Sequence, residues 1–454
     1  MSLDNLPVEW LLTSIENISE VIAGGTPKAN DPENFVEPPN GIGWLTPADL
    51  SGYSHKYIGH GKRDLSEKGY KSSSAKLIPK GSVVFSSRAP IGYVAIASNE
   101  ISTNQGFKNF VIDENISSEY LYYYLKRIRD LAESLGTGTT FKELSGSACK
   151  KLPFVLAPLA EQQEIVRQLD VMLAQVEQIK ARLDAIPAIL KKFRQSVLAD
   201  AVSGKLTEEW RGKAKEWEST TLAECTHRIG DGLHGTPQYV ENGEYHFVNG
   251  NNLIDGEIVI KESTKSVNSL EFEKHKRDLG ENTLLLSING TIGNLAFYQN
   301  EKIILGKSAC YLNFNEKMNR DFGYILLSSE FFIQYAHEVA TGATIKNVPL
   351  KGVRNYQFLL PSLEEQVEIV AKVKQLLALG STIEQKIEVA QKRVNLLTQS
   401  ILAKAFSGEL TTEWREQHQE LITGINSAES LLAAIQAERE ASKPAKKTRK
   451  KKEV

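Results

Sequence analysis

The feature that most constrains this chain is a duplication. Residues 159–211 and 363–415 align without a gap at the shift of 204 set by Gln162 and Gln366, and roughly 20 of 53 positions agree. Agreement is densest at the two ends, in EQxEIV at the entry and QSxLAxAxSGxLTxEWR at the exit. Each copy carries apolar residues spaced 4-3-4-3. The first gives Ile165, Leu169, Met172, Val176, Ile179, Leu183, Ile186, Leu190, Phe193 and Val197. The second gives Ile369, Val373, Leu376, Gly380, Ile383, Ile387, Ala390, Val394, Leu397 and Ile401 in the same phase. This is an a/d heptad seam, and it predicts two helices of about 40 residues, roughly 60 Å each. With each helix offered a ready partner, an antiparallel coiled coil within the chain is expected, because a long segment separates the two copies. Pro187 and Gly380 should kink or thin the seam. Gly204 and Gly408 stand where a helix C-cap belongs, and the next apolar residue with Trp210 or Trp414 is expected to fold back as an anchor.

The segments between these helices repeat more faintly. Thr137-Gly138-Thr139-Thr140-Phe141-Lys142 faces Thr341-Gly342-Ala343-Thr344-Ile345-Lys346 at the same shift. Upstream the shift drifts, as loop insertions would cause: Gly25-Thr26-Pro27 matches Gly235-Thr236-Pro237, and Arg88 to Gly92 matches Asn289 to Gly293. Short β-prone runs such as SVVFSS, YVAIAS and TLLLSI are punctuated by Gly, Pro and Asn, and each segment holds a helical stretch near its end. The expected fold class is therefore α/β (mixed α+β), with two similar globules separated by the two long helices and related by an internal pseudo-two-fold, like a homodimer fused end to end. The boundaries read as 1–157 for the first globule, 158–212 for the first helical region, 213–361 for the second globule and 362–415 for the second helical region. Residues 416–454 hold a short amphipathic helix, SAESLLAAIQAERE, and a basic tail.

At 454 residues the chain is too long for one ordinary core. No run approaches a membrane span, and the start is not a signal peptide, so a cytoplasmic protein without a membrane partner is expected. The net charge of −2 is unevenly spread: the tail from Lys443 carries seven Lys/Arg against one Glu, leaving a mildly acidic body. Three distant cysteines, Cys149, Cys225 and Cys310, exclude a CxxC zinc module and argue against a disulfide scaffold.

A search for catalytic chemistry finds none. Gly306-Lys307-Ser308 lacks the earlier glycine of a phosphate loop, where Glu301 stands, and reads as an edge loop. Glu37-Pro38-Pro39-Asn40 is a poor echo of an adenine-methylase motif and reads as a turn. His227 and His234 have no third metal ligand nearby in sequence. No GxGxxG follows a strand and no GxSxG occurs. Loop residues suited to base edges do recur, since Arg and Lys match guanine, Asn and Gln match adenine, and Thr and aromatic rings meet the thymine methyl. In the first globule these are Thr26, Lys28, Thr46, Arg88, Thr103, Asn104, Gln105 and Lys108. In the second they are Gln238, Tyr239, Asn249, Asn251, Asn252, Asn289 and Lys307.

Together these features resemble the specificity subunit of a type I restriction-modification system, over nearly the whole chain. The resemblance rests on the PLAEQQEIV and PSLEEQVEIV entries, the SGKLTEEWR and SGELTTEWR endings, the GGTP, IGY and TNQG turns, and the C-terminal helix with its lysine tail. It implies two target recognition domains, each gripping one half of a split, asymmetric double-stranded DNA sequence. It further implies that the helices dock two methylation subunits, with two restriction subunits added in the full endonuclease. S-adenosylmethionine, ATP and Mg2+ would be used by those partners; this chain would bind no cofactor and no metal and would catalyse nothing. Base-reading residues vary within such a family, so none is carried over. With an acidic body, weak DNA affinity is expected of the isolated chain. The rival reading is a non-enzymatic coiled-coil adaptor whose two globules bind ligands other than DNA.

Overall fold

A computed structural model of the chain describes residues 6–88, 90–138, 142–212 and 216–441; the basic tail lies outside the described residues. The chain divides into two units, residues 1–181 with 391–454, and residues 182–390. Each unit combines one globule, the leading half of one long helix and the trailing half of the other. The long helices span Leu159–Val202 and Leu363–Ser407.

In the first unit a five-stranded sheet runs in the order Glu20–Ala23, Phe107–Val111, Val83–Ser87, Ile91–Ala97, Tyr57–Ile58. All neighbours are antiparallel except the last pair. Alternation explains why Val83–Ser87 is buried throughout. Val83 and Phe85 point with Ile96 and Phe110 into the helical layer, while Val84 points with Ala95 and Phe107 into a second, smaller core. The globule is closed by its first and last strands, Leu11–Ser14 pairing with Pro153–Leu156. A helix over Ser118–Arg127 is capped by Ser117, whose hydroxyl accepts from the Tyr120 amide at 3.2 Å. It buries Tyr120 and Tyr124, whose hydroxyls donate to the carbonyls of Val155 and Pro153, both at 2.9 Å.

Phe406 of the second long helix meets the rings of Tyr120 and Tyr124 edge-on, each at 5.1 Å between centroids. Ile165, Leu169 and Val176 share that core with Ile401, Leu402 and Ala405, so the globule core runs on into the helix seam. The C-terminal helix Ala428–Ala441 belongs here too, burying Ala428 and Ile435 in the same cluster.

The second unit repeats the plan. Strands Thr226–Asp231, Ala309–Phe314, Thr283–Ser287 and Leu295–Phe297 form an antiparallel sheet in that order. Leu284 and Leu312 face the helices, and Leu285, Ala296 and Tyr311 face a second core. Glu218–Thr221 pairs with Gln357–Leu360 to close the globule.

Here the helix pairing is antiparallel by direct contact. Lys372 Nζ donates to the Leu206 carbonyl at 3.4 Å, and the Arg194 guanidinium lies 2.7 Å from Glu384. Stepping back from Leu206 to Arg194 matches stepping forward from Lys372 to Glu384. The Phe193 ring covers Gly380, lying 3.7 Å from where a Cβ would stand, and fills the gap a glycine leaves in the seam. The first long helix is helical through Pro187.

Within the seam, Ile179 and Ile383 are 44% and 37% exposed, because a single partner helix covers only a narrow stripe where no globule backs it. Met172, Leu183, Leu376 and Val394 are half-buried, while Ile369, Val373 and Ile387 are buried. The tryptophan anchors also differ: Trp210 is 47% exposed and Trp414 stacks on His418 at 4.6 Å, while Leu206 and Leu410 make the apolar contact. Gly204 and Gly408 do end the helices in the left-handed region, at φ 81° and 83°.

Candidate nucleic-acid interface

The two duplicated motifs are two halves of one joint, which fixes each globule to its helices. In the first unit Glu161, fully buried at the entry of the first long helix, accepts from Trp10 Nε1 at 2.6 Å. It also accepts from Thr411 Oγ1 at 2.7 Å and Arg415 Nε at 3.0 Å, both in the exit motif of the second helix. In the second unit Glu365 accepts from Trp217 Nε1 at 3.0 Å, Thr207 Oγ1 at 2.7 Å and Arg211 Nε at 2.9 Å. Each arginine also donates to the C-cap glycine carbonyl, of Gly408 or Gly204, at 2.6 Å. The adjacent Gln162 and Gln366 side chains accept from the amides of Ser117 and Asn319 and donate to backbone carbonyls of their globules. Buried carboxylates are tolerated only when so fully paired. Sequence reading singled out the motifs but not Trp10 and Trp217, which lie outside the repeat and at a different shift.

The candidate loops cluster at one end of each sheet on a shared backbone scaffold. In the first unit Gly25 N donates to the Thr103 carbonyl (2.8 Å), Asn104 N to Leu45 (2.8 Å) and Ser87 N to Gly106 (2.7 Å). In the second unit Leu233 N donates to Leu305 (2.7 Å), Gly306 N to Val248 (2.8 Å) and Ile288 N to Ser308 (3.0 Å). The three pairs correspond, so Gln105 and Lys307 occupy equivalent tips, and both are exposed.

This scaffold sorts the sequence candidates. Thr26 is brought to the same tip and hydrogen-bonds the Gln105 side chain, with Asn104 beside it and Lys28 exposed on the neighbouring loop. Thr46 is committed to a capping box with Asp49. Thr103 and Lys108 are not on the surface: Thr103 is fully buried and accepts from Asn109 Nδ2 at 2.8 Å. Lys108, 8% exposed, sits 3.4 Å from Ser87 Oγ and 4.0 Å from Glu143. Their strand positions point them inward, so neither reaches a base in this conformation. Arg88 is half-buried beside Glu143 at 3.7 Å.

In the second unit Gln238, Tyr239 and Asn251 are exposed together with Lys307. Asn249 and Asn252 instead form a capping box, and Asn252 is buried, donating to the Val259 carbonyl and Thr264 Oγ1, both at 3.0 Å. Asn289 donates to the Asn347 side chain at 3.3 Å. Ser308 Oγ donates to Asn249 Oδ1 at 3.1 Å, so the Gly306-Lys307-Ser308 hydroxyl is used inside the loop.

Other features carry no comparable chemistry. Asn40 N donates to the Glu37 carbonyl at 3.0 Å, a turn, and His234 pairs with Asp231 at 2.7 Å. Among the described residues no group of three His, Cys, Asp or Glu is placed to hold a metal, and no helix is long and apolar enough to cross a membrane. A cleft of about 990 Å³ in the first unit is lined by Glu16, Glu20, Asp113, Glu438 and Glu440 against one cation, Arg439, a lining that repels phosphate.

The family pattern described as "Type I restriction modification DNA specificity domain" matches residues 7–188 and 215–390. The chain is 32% identical to the type I restriction enzyme StySPI specificity subunit of Salmonella potsdam, over 99% of this chain and 100% of that one. It is 30% identical to the EcoKI specificity subunit of Escherichia coli strain K12 over the same shares. Among solved structures it resembles the HsdS subunit from Thermoanaerobacter tengcongensis, with TM-score 0.60 at 19% identity, over 89% of this chain and 98% of that one. It also resembles a chain from a type I R-M system, with TM-score 0.63 at 18% identity, over 88% of this chain and 98% of that one.

Proposed function

Because the chain belongs to the type I restriction-modification DNA specificity family, we propose that its two globules read the two halves of a bipartite DNA target through different tips on one scaffold. Its role is DNA sequence recognition, and it is the non-catalytic member of its enzyme; the adaptor reading is not favoured. The observation that carries the two-tip reading is the correspondence of the three backbone hydrogen bonds in each unit, which leaves the side chains free to differ while the loops keep their shape. Gln105 matches the donor–acceptor edge of adenine, and Lys307 matches the acceptors of guanine.

The protein acts with methylation and restriction subunits. In this reading two methylation subunits dock on the long helices, where Val171, Ile189, Val367, Leu379, Val389 and Leu396 are at least half exposed, and two restriction subunits join in the full endonuclease. S-adenosylmethionine, ATP and Mg2+ are used on those partners, in the cytoplasm, and the methylation subunit flips the target base for chemistry.

The test is a map of methylated bases in a host expressing the methylation subunit with Lys307→Gln. One half-site should change at one position, with each mismatched base previously costing about 1–3 kcal/mol, while the other half stays as it was. A map identical in both halves would count against Lys307 as a reader.

A further inference from the structure

Among the duplicated segments, the helix entry and exit motifs and the TGTTFK and TGATIK segments contrast in what keeps them alike. The entry and exit motifs are retained because they meet in buried joints. The TGTTFK and TGATIK segments are also retained, at the same shift of 204, yet packing does not account for them. Residues 139–141 of the first copy lie outside the described residues, so the second copy carries the case. There Thr341 and Asn347 close a tight hairpin with two backbone hydrogen bonds of 2.9 and 2.8 Å, and every residue from Thr341 to Lys346 is exposed. Gly342 is fixed by geometry: at φ +105° a Cβ would lie 2.4 Å from the Ile345 carbonyl oxygen. No such demand holds Thr344 or Lys346, and among the described residues Lys346 has no ion-pair partner.

Residues kept alike in two globules whose tips have diverged, and exposed in the described second copy, point to something alike that both must face. Within the second unit the hairpin is bonded to a diverged loop. Gly290 N donates to the Lys346 carbonyl at 3.4 Å, Val348 N to Ile288 at 2.8 Å, and Asn289 Nδ2 to Asn347 Oδ1 at 3.3 Å. In the first unit Leu144 N likewise donates to the Ser87 carbonyl at 2.8 Å, and the position matching Asn289 is Arg88. A constant element is thus tied to a variable one. That is the division of labour in DNA recognition, where phosphate contacts fix register and neighbouring side chains read bases. The chemistry agrees: a threonine hydroxyl and an exposed lysine on a glycine-bent turn suit a phosphate diester, which is identical in every half-site.

We propose that the Thr341–Asn347 hairpin is a sequence-independent clamp on the DNA backbone, with Thr344 and Lys346 as its phosphate ligands. This rests on the DNA-reading function above. The experiment uses the full chain assembled with its methylation subunits, comparing wild type with the Thr344→Ala/Lys346→Ala double variant on cognate and scrambled duplexes.

The variant should lose roughly ten-fold in affinity on both duplexes, and the slope of log affinity against log salt should fall by about 1. The methylated sequence should be unaltered. Replacing single phosphates by uncharged methylphosphonates should reveal at least one linkage whose neutralisation weakens the wild type and not the variant.

Equal affinity of variant and wild type on both duplexes would overturn the clamp, as would a changed methylated sequence, which would make these residues base readers. Loss of the methylation subunit from the variant on gel filtration would overturn it in favour of a protein-docking hairpin. A wild-type complex that failed to distinguish cognate from scrambled duplex would instead remove the premise of DNA reading itself.

Discussion

Replacing Glu161 with alanine removes the acceptor on which both ends of the first unit converge. Three donors lose their partner: the Trp10 indole, the Thr411 hydroxyl and the Arg415 guanidinium, in a place where the glutamate is fully buried and the arginine side chain is 11% exposed. Removing one member of a buried ion pair costs about 3–5 kcal/mol, and an orphaned indole N–H adds about 1–3 kcal/mol. These terms are not additive, because Arg415 keeps its 2.6 Å bond to the Gly408 carbonyl. A loss of about 4 kcal/mol is expected.

For a unit of this size each kcal/mol shifts Tm by roughly 2–4 °C, so the transition of the first unit should fall by about 10 °C. Glu161→Gln, which keeps an acceptor but loses the charge, should fall by about half as much. The assay is thermal and urea unfolding followed by tryptophan fluorescence, with Arg415→Met completing a double-mutant cycle. Coupling between Glu161 and Arg415 of about 2 kcal/mol is expected. Coupling below about 0.5 kcal/mol, with a Tm shift inside about 2 °C, would refute the joint as a source of stability. Glu365→Ala should reproduce the loss in the second unit, where Trp217, Thr207 and Arg211 stand in the same relation.

Two further outcomes concern titratable groups. Burial raises the Glu119 carboxyl, but hydrogen bonds from Tyr57 and Ser117 and the charge of Lys56 outweigh it, leaving Glu119 below its ordinary value. A group depressed by folding stabilises above the unfolded carboxylate range and loses that contribution as pH falls through its folded value. Glu119→Gln should therefore be less stable than wild type at neutral pH, and the gap should close in acid unfolding titrations; a gap unchanged near about pH 3 would contradict this. Burial pushes the Cys149 thiol up to about 12 and raises Cys225 and Cys310 as well. Iodoacetamide at mildly alkaline pH should thus modify none of the three until the chain unfolds, when mass spectrometry should count all three; rapid native labelling of any one would show its site is open.

Much of this protein is legible before any coordinates. The 4-3-4-3 spacing alone places two long helices, because an apolar stripe of that period can be buried only as a helix against a partner. The shift of 204 makes two similar globules, and the glycines at 204 and 408 mark the helix ends, because only glycine enters the left-handed region freely. Neither periodicity nor motif could reveal that Glu161 is satisfied by Thr411 and Arg415 from the far end of the chain, or that Trp10 and Trp217 complete the joints. Those partners are distant in sequence, and the two tryptophans stand at a different shift from that of the repeat.

The loop candidates show the same limit. Residue type marked Thr103, Lys108 and Asn252 as suited to bases, yet strand alternation and capping turn them inward, while Gln105 and Lys307 stay at exposed tips. A sequence states what each side chain can bond to. Which bonds are made is decided by the fold, because burial removes water as the competing partner and leaves each polar group only the neighbours that packing supplies.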